Sequence, residues 1–340
     1  MFPDMSPWQG RDDTTSEGEL ALRWHQMVRP YLSNSSLSSD KHHIVLLGFP
    51  SDEGIRRNQG RTGAAHGPQA LREALAPLAW HTTNSVYDAG NITFHEQQLE
   101  VGQRALGMAV ADILLHSDLP LVLGGGHETA YGTFSGIIHA WQKNTEERNT
   151  TRSSPEQHQN KSEQKLGIVN LDAHFDLRSC SVAHSGTPFA QMADWCHMHG
   201  QAFHYLPIGI SRAANTKALW ERASSLGVVP ITDIELASDC KRNYMPRITE
   251  FVENVDTLYL SIDLDVLPAY VMPGVSSPAG LGVSLIRLLE IICMVASSGK
   301  LVAADVVEYN PKLDHLSIGA KTAASIIWEL CQHWQPAPWR

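Results

Sequence analysis

Cysteine is scarce and unpaired in this 340-residue chain: Cys180, Cys196, Cys240, Cys293 and Cys331 are odd in number and scattered, with no C-x-x-C pair. That pattern points away from a disulfide framework and from a thiolate zinc site, and leaves reduced, mostly buried thiols as the expectation. Also missing is any basic block to offset a formal net charge of -10, so neither a nucleic-acid surface nor a polybasic lipid-binding segment is expected. No apolar run approaches the roughly 18 residues that a membrane span requires, and "MFPDMSPWQGRDD" lacks a cationic stretch followed by an apolar one. The expectation is a cytoplasmic protein that acts on a small polar molecule, with no nucleic-acid and no membrane partner. Residues 143–165, "KNTEERNTTRSSPEQHQNKSEQK", contain no aliphatic residue and no Phe, Tyr or Trp, so this segment reads as a polar loop insertion.

What the chain does have is a hydrophobic content of 43%, enough for a large core, arranged as apolar runs alternating with amphipathic stretches. Buried strands are expected at "HHIVLLGFP", "LPLVLGGG", "LGIVNLD", "FHYLPIGI", "LGVVPIT", "TLYLSIDLD" and "LVAADVVEYN". Between them, "PQALREALAPL", "VGQRALGMAVADILLH", "TFSGIIHAWQ", "TKALWERASS" and "VSLIRLLEIICMVASSG" carry helical spacing. Helices between near-continuous apolar strands predict an α/β fold with a parallel sheet covered on both faces. The rhythm resumes unchanged after residue 165, so residues 41–335 read as a single α/β catalytic domain, preceded by a partly irregular N-terminal segment, 1–40. No internal repeat is evident.

In open parallel sheets ligands bind beyond the carboxyl ends of the strands. "LPLVLGGG" delivers His127 there, and "LGIVNLD" delivers Asp172, His174 and Asp176. In an extended chain, residues i, i+2 and i+4 share one side at intervals of about 6.6 Å. "TLYLSIDLDVLP" adds Asp263 and Asp265, again two apart. Carboxylates this close repel each other and resist burial unless a cation compensates them. Asp172, Asp176, Asp263 and Asp265 carry four negative charges beside the imidazoles of His127 and His174, which two divalent cations would neutralise. Oxygen ligands in the majority suit Mn(II), although Zn, Fe, Co and Ni are not excluded by ligand type. Two ions roughly 3.5 to 4 Å apart can hold a water between them and lower its pKa.

"GGGHE", "DAHFDL" and "SIDLDVLP", in that order, resemble the three signature motifs of the ureohydrolase family, which includes arginases and agmatinases. The resemblance runs from about Gly48 to Pro311. It implies a three-layer α/β/α fold around a central, mostly parallel sheet, a cofactor of two Mn2+ ions per subunit, and hydrolysis of a C–N bond in a guanidino or amidino substrate. It also implies a homo-oligomer. By motif position, His127 and Asp176, with Asp172 and Asp263, would hold one ion, while His174 and Asp265 join the two bridging aspartates on the other. Glu308 in "DVVEYNP" stands where members keep a glutamate that pairs with the cationic end of the substrate.

Flanking stretches narrow the branch. "WQGRDD", "RRNQGRTGAAHGP", "DAHFDLR" and "SGTPF" look most like the formimidoylglutamase branch, whose members convert N-formimidoyl-L-glutamate and water to L-glutamate and formamide. Ser185 stands where arginases and agmatinases carry a His, with His184 one place earlier. Arg178 stands where arginases use Asn to touch a substrate carboxylate. An arginine offers a bidentate clamp for a carboxylate. N-formimidoyl-L-glutamate has two carboxylates and agmatine none, so Arg57, Arg61, Arg178 and Arg212 are expected to bind substrate, with Asp176 and Glu308 as catalytic residues. The alternative is an agmatinase or other guanidino hydrolase that releases urea. A dinucleotide-binding dehydrogenase is disfavoured by the absence of G-x-G-x-x-G after the first strand.

Overall fold

The computed structural model describes residues 3–32, 43–95, 97–151, 164–179, 181–238, 241–335 and 337. Nine strands form one sheet: β1 (Arg29–Pro30), β2 (His43–Phe49), β3 (Ser85–Asn91), β4 (Leu119–Gly124), β5 (Leu166–Leu171), β6 (His204–Ile210), β7 (Ile231–Thr232), β8 (Thr257–Asp263) and β9 (Leu301–Val307). Their order across the sheet is β1-β3-β2-β4-β9-β8-β5-β6-β7, with every neighbouring pair parallel.

The pleat sorts strand side chains into two cores. On β2, Ile44 and Leu46 join one core, with the helices Gly67–Leu75, Leu285–Ala296 and Ile318–His333, while Val45, Leu47 and Phe49 join the other, with Leu99–Leu115, Thr129–Thr151 and Pro188–Met198. Alternate residues of a strand face opposite sides, so a strand buried on both must be apolar throughout. The result is the three-layer α/β/α architecture expected.

All seven expected strands form, six of them within a few residues at their ends; of "LGVVPIT" only Ile231–Thr232 is strand, its first five residues being turn and irregular chain. Two more exist. Strand β3, "SVYDAGN", is polar enough to escape notice, and the short β1 pairs with it. The N-terminal segment is tied down more firmly than its composition suggested: Trp24 is fully buried, and the indole of buried Trp8 donates to Asp88 at 2.7 Å. The helix Thr129–Thr151 carries regular backbone into the first part of the expected loop insertion, and residues 152–163 lie outside those described. Cys196 and Cys331 are buried and Cys293 is partly buried, all three unpaired, while Cys180 and Cys240 lie outside the described residues. No helix among the described residues is long and apolar enough to cross a membrane.

Candidate metal centre

The five adjacent strands β2, β4, β9, β8 and β5 bring their carboxyl ends together, and each end delivers something. After β4 the chain turns through Gly124–Gly126, where a side chain at Gly125 would collide with the Ser51 carbonyl oxygen. That close approach lets Gly126 N–H donate to Ser51 at 2.9 Å and Glu308 N–H donate to Gly125 at 2.7 Å, knitting the ends of β2, β4 and β9. Beyond β5, the Asp172 carboxylate accepts from His174 N–H at 2.6 Å; beyond β8, the Asp263 carboxylate accepts from Asp265 N–H at 2.8 Å. Each run thereby folds its second side chain back beside the first.

His127, Asp172, Asp176 and Asp263 form one donor group, and Asp172, His174 and Asp265 a second, the ligand atoms of each lying within 4.8 Å of one another. His127 Nδ1 lies 3.2 Å from Asp172, 3.0 Å from Asp176 and 3.0 Å from Asp263. His174 Nδ1 lies 3.0 Å from Asp265 and 3.5 Å from Asp172. The six side chains singled out from the sequence thus converge. Asp172 belongs to both groups, and Asp263 belongs to the first, with His127, Asp172 and Asp176.

The protonation pattern around His127 is itself informative. Ser261 Oγ donates to Asp305 at 2.6 Å and lies 3.0 Å from His127 Nε2. A hydroxyl has one hydrogen, so the imidazole must donate to Ser261 through Nε2–H, which leaves the Nδ1 lone pair facing three carboxylates. Nδ1 is buried and has no hydrogen-bond partner. Such a cage needs a cation or a proton to compensate its carboxylates. Without an ion a proton takes that part: burial works against charge on His127, yet the carboxylates around it outweigh burial and hold the imidazole well above its ordinary value. The Asp265 charge raises His174 likewise. Burial, then the neighbouring carboxylates, pushes up Asp176 and Asp263. Burial also raises Asp265, while Asp172, although buried, is drawn down by its two histidines. Oxygen and imidazole donors in this ratio fit a hard or borderline divalent ion, and Mn2+ among them.

Two of these residues sit on strained backbone. Asp176 has φ 48° and Glu308 has φ 69°, a left-handed conformation uncommon for residues other than glycine. Glu308 is buried and accepts from His127 N–H at 2.8 Å. Burial, then the charges of Glu128 and Asp265, raises its carboxyl well above the usual range.

The arginines divide. Arg57 is held by Glu53 at 2.8 Å, by Glu100 at 2.6 Å and by the Ala183 carbonyl at 2.9 Å. Arg61 donates to the backbone carbonyls of Ser276 and Val275. Arg178 is exposed, on the loop joined to Gly186 by a backbone bond of 2.9 Å, and its guanidinium has no hydrogen bond or ion pair among the described residues. Arg212, also exposed, lies 5.7 Å from the Trp220 ring centroid. His184 and Ser185 are buried; Asn58 donates to Ser185 at 3.1 Å, and burial lowers His184, helped by the charges of Arg178 and Arg57.

Sequence reasoning missed the support. Asp305 on β9 is fully buried and accepts from Ser261, Tyr259 and Thr133, so the orientation of His127 rests on groups inside the sheet. Buried Glu128 accepts from Ser51 Oγ and Gly54 N–H, both at 2.9 Å, and burial lifts its carboxyl to about 7. The signal available was a polar residue inside an apolar run: Ser261 two places before Asp263, and Asp305 three before Glu308.

Comparison with known proteins agrees with this geometry. Residues 42–332 match the Arginase family. The chain is similar to a formimidoylglutamase from Chromobacterium violaceum, with 45% identity covering 97% of this chain and 98% of that one. It is similar to another from Klebsiella pneumoniae (strain 342), with 44% identity covering 97% of each. Among solved structures it resembles the Trypanosoma cruzi formiminoglutamase with Mn2+, with TM-score 0.74 at 23% identity, covering 90% of this chain and 98% of that one.

Proposed function

Because this chain belongs to the arginase family, we propose that it hydrolyses N-formimidoyl-L-glutamate to L-glutamate and formamide with two manganese ions. The observation that carries the reading is its near full-length identity with formimidoylglutamases. His127, Asp172, Asp176 and Asp263 would hold one ion and Asp172, His174 and Asp265 the other. When bound, such a pair supplies an activated water and compensates the charge that develops at the attacked carbon.

The remaining chemistry belongs to the chain. Buried Glu308, whose lone carboxylate is disfavoured by its surroundings, pairs with the amidinium of the substrate, which supplies the missing positive charge. Arg178 carries a guanidinium with no partner among the described residues, and it clamps a substrate carboxylate in bidentate fashion. Arg212 is also exposed and available to the second carboxylate. Arg57 and Arg61, braced against carboxylates and carbonyls, shape the rim instead. Held at both ends, the substrate presents its amidine carbon to water, and such orientation lowers a barrier by several kcal/mol. Asp176 accepts the proton released by water and passes it to the departing nitrogen as the C–N bond to glutamate breaks.

The deciding experiment is turnover of purified, Mn-loaded protein on N-formimidoyl-L-glutamate, agmatine and L-arginine in parallel, with formamide, glutamate and urea read separately. Formamide and glutamate from the first substrate alone are expected. Urea from a guanidino substrate would retain the metal centre and overturn the role given to Arg178.

A further inference from the structure

A second kind of donor set lies far from this centre, between the helices Leu285–Ala296 and Ile318–His333. Cys293 on the first and Glu329 and His333 on the second offer one sulfur, one oxygen and one nitrogen, all within 4.8 Å of one another. Glu329 and His333 are four residues apart on one helix, which places them on the same face, and their facing atoms lie 3.5 Å apart. Glu329 has no Lys or Arg partner among the described residues; His333 is its one ion-pair neighbour.

The frame holding these three groups is fixed. Gln335 N–H donates to the Ala296 carbonyl at 2.9 Å, and the indole of buried Trp334 donates to Leu301 at 3.0 Å. Ligands on packed helices with a fastened end need little ordering when an ion arrives. A tetrahedral ion with bonds of about 2.0–2.3 Å sets its ligand atoms roughly 3.3–3.8 Å apart. Closing from a spacing within 4.8 Å takes at most about 1.0–1.5 Å, shared between side chains that are at least partly exposed and well within their freedom.

We propose that Cys293, Glu329 and His333 form a third metal site, for a single borderline-soft divalent cation such as Zn2+, with water completing the coordination. Sulfur sets its preference apart from that of the oxygen-rich centre, and so does its place. It lies by the start of β9 near Leu301, whereas Glu308 follows that strand's far end; seven residues at about 3.3 Å each put roughly 20 Å between them. A cation here touches no substrate. It fastens the last helix to its neighbour and stabilises the folded chain by mass action. The absence of a C-x-x-C pair does not bear on such a site, because its ligands come from two helices that only the fold brings together.

Cobalt(II) tests this directly. The main centre has only oxygen and nitrogen donors, so a thiolate-to-cobalt charge-transfer band in the near ultraviolet on titrating Mn-loaded full-length protein reports a sulfur ligand. The expected result is a band that saturates with one equivalent, is lost in Cys293→Ser and is displaced by Zn2+. In His333→Ala the same band needs at least about tenfold more cobalt, since losing even a supporting partner of a ligand weakens binding by that much. Turnover of Mn-loaded protein should be the same in both variants, which also shows that they fold. No band in the unmodified protein, or a band that persists in Cys293→Ser, would overturn the proposal.

Discussion

Two sets of buried carboxylates in this molecule are treated in opposite ways. Asp88 on β3 is fully buried, and Arg72 grips it with Nε at 2.7 Å and Nη2 at 2.9 Å while Trp8 donates from another side. The remaining donors of Arg72 go to Gly90, Asn91 and the Pro68 carbonyl, so both ions are satisfied within the chain. At the carboxyl end of β5 and β8, four aspartates share two imidazoles, and His127 Nδ1 has no partner. The first set is closed and serves architecture. The second is left short of positive charge, and that shortage is what makes it a receptor for ions. A carboxylate cluster is thus diagnosed by whether the fold has supplied its counter-ion, more than by its burial.

The contrast can be broken at either side. The largest effect is expected from Asp263→Ala, which removes one wall of the cage around His127: turnover should fall by at least about ten-thousandfold, ~5.5 kcal/mol, with metal content below two ions per chain. Mass spectrometric metal analysis alongside kinetics checks this, and full retention of both would remove Asp263 from the centre. Next comes Arg72→Met, which strands Asp88 without its cation and should lower unfolding free energy by about 3–5 kcal/mol with metal stoichiometry unchanged. Denaturant titration measures it, and a neutral result would show that Asp88 is balanced by other groups.

A smaller effect is expected at Asp305→Asn, which loosens Ser261 and with it the orientation of His127. Manganese affinity should weaken by about 10–100-fold, read by calorimetric titration, with little change in overall stability beyond the lost hydrogen bonds.

The mildest test is pH. Burial raises Asp176, Asp263 and Asp265, so above the ordinary carboxylate range the native state holds more protons than the unfolded chain, and stability falls as pH rises. His127 and His174 are raised too; their contribution is present below the unfolded imidazole value and is lost as pH rises through the folded one. Asp172, drawn down, has the opposite slope, confined to pH below the ordinary carboxylate value. Metal-free protein should therefore lose melting temperature steadily above about pH 5, and added Mn2+ should remove that slope because the ions replace the protons. A flat profile without metal would mean that the cage is not under electrostatic strain.

The central strands were legible because burial on both faces forces unbroken apolar runs, and the four aspartates and His174 of the candidate centre were legible because they follow such runs at spacings of two. Strand β3 was not, since its buried Asp88 reads as a loop residue until Arg72, sixteen positions earlier, is known to lie against it. Arg57 and Arg61 show the same limit. An arginine near a site motif reads as a substrate clamp, but Glu100 and the carbonyls of Val275 and Ser276 that occupy them are distant in sequence. Charge pattern locates a receptor for ions; it does not say which cations the fold has already used.

Asp176 and Glu308 have a further consequence through their left-handed backbone. Each such residue is held at a cost of order 1–3 kcal/mol, which glycine at the same place would largely avoid. A laboratory selection for heat resistance alone, blind to turnover, should drift toward glycine at both positions and recover a hardier but inert protein. On the proposed function, acids at these two positions serve the chemistry at the expense of stability.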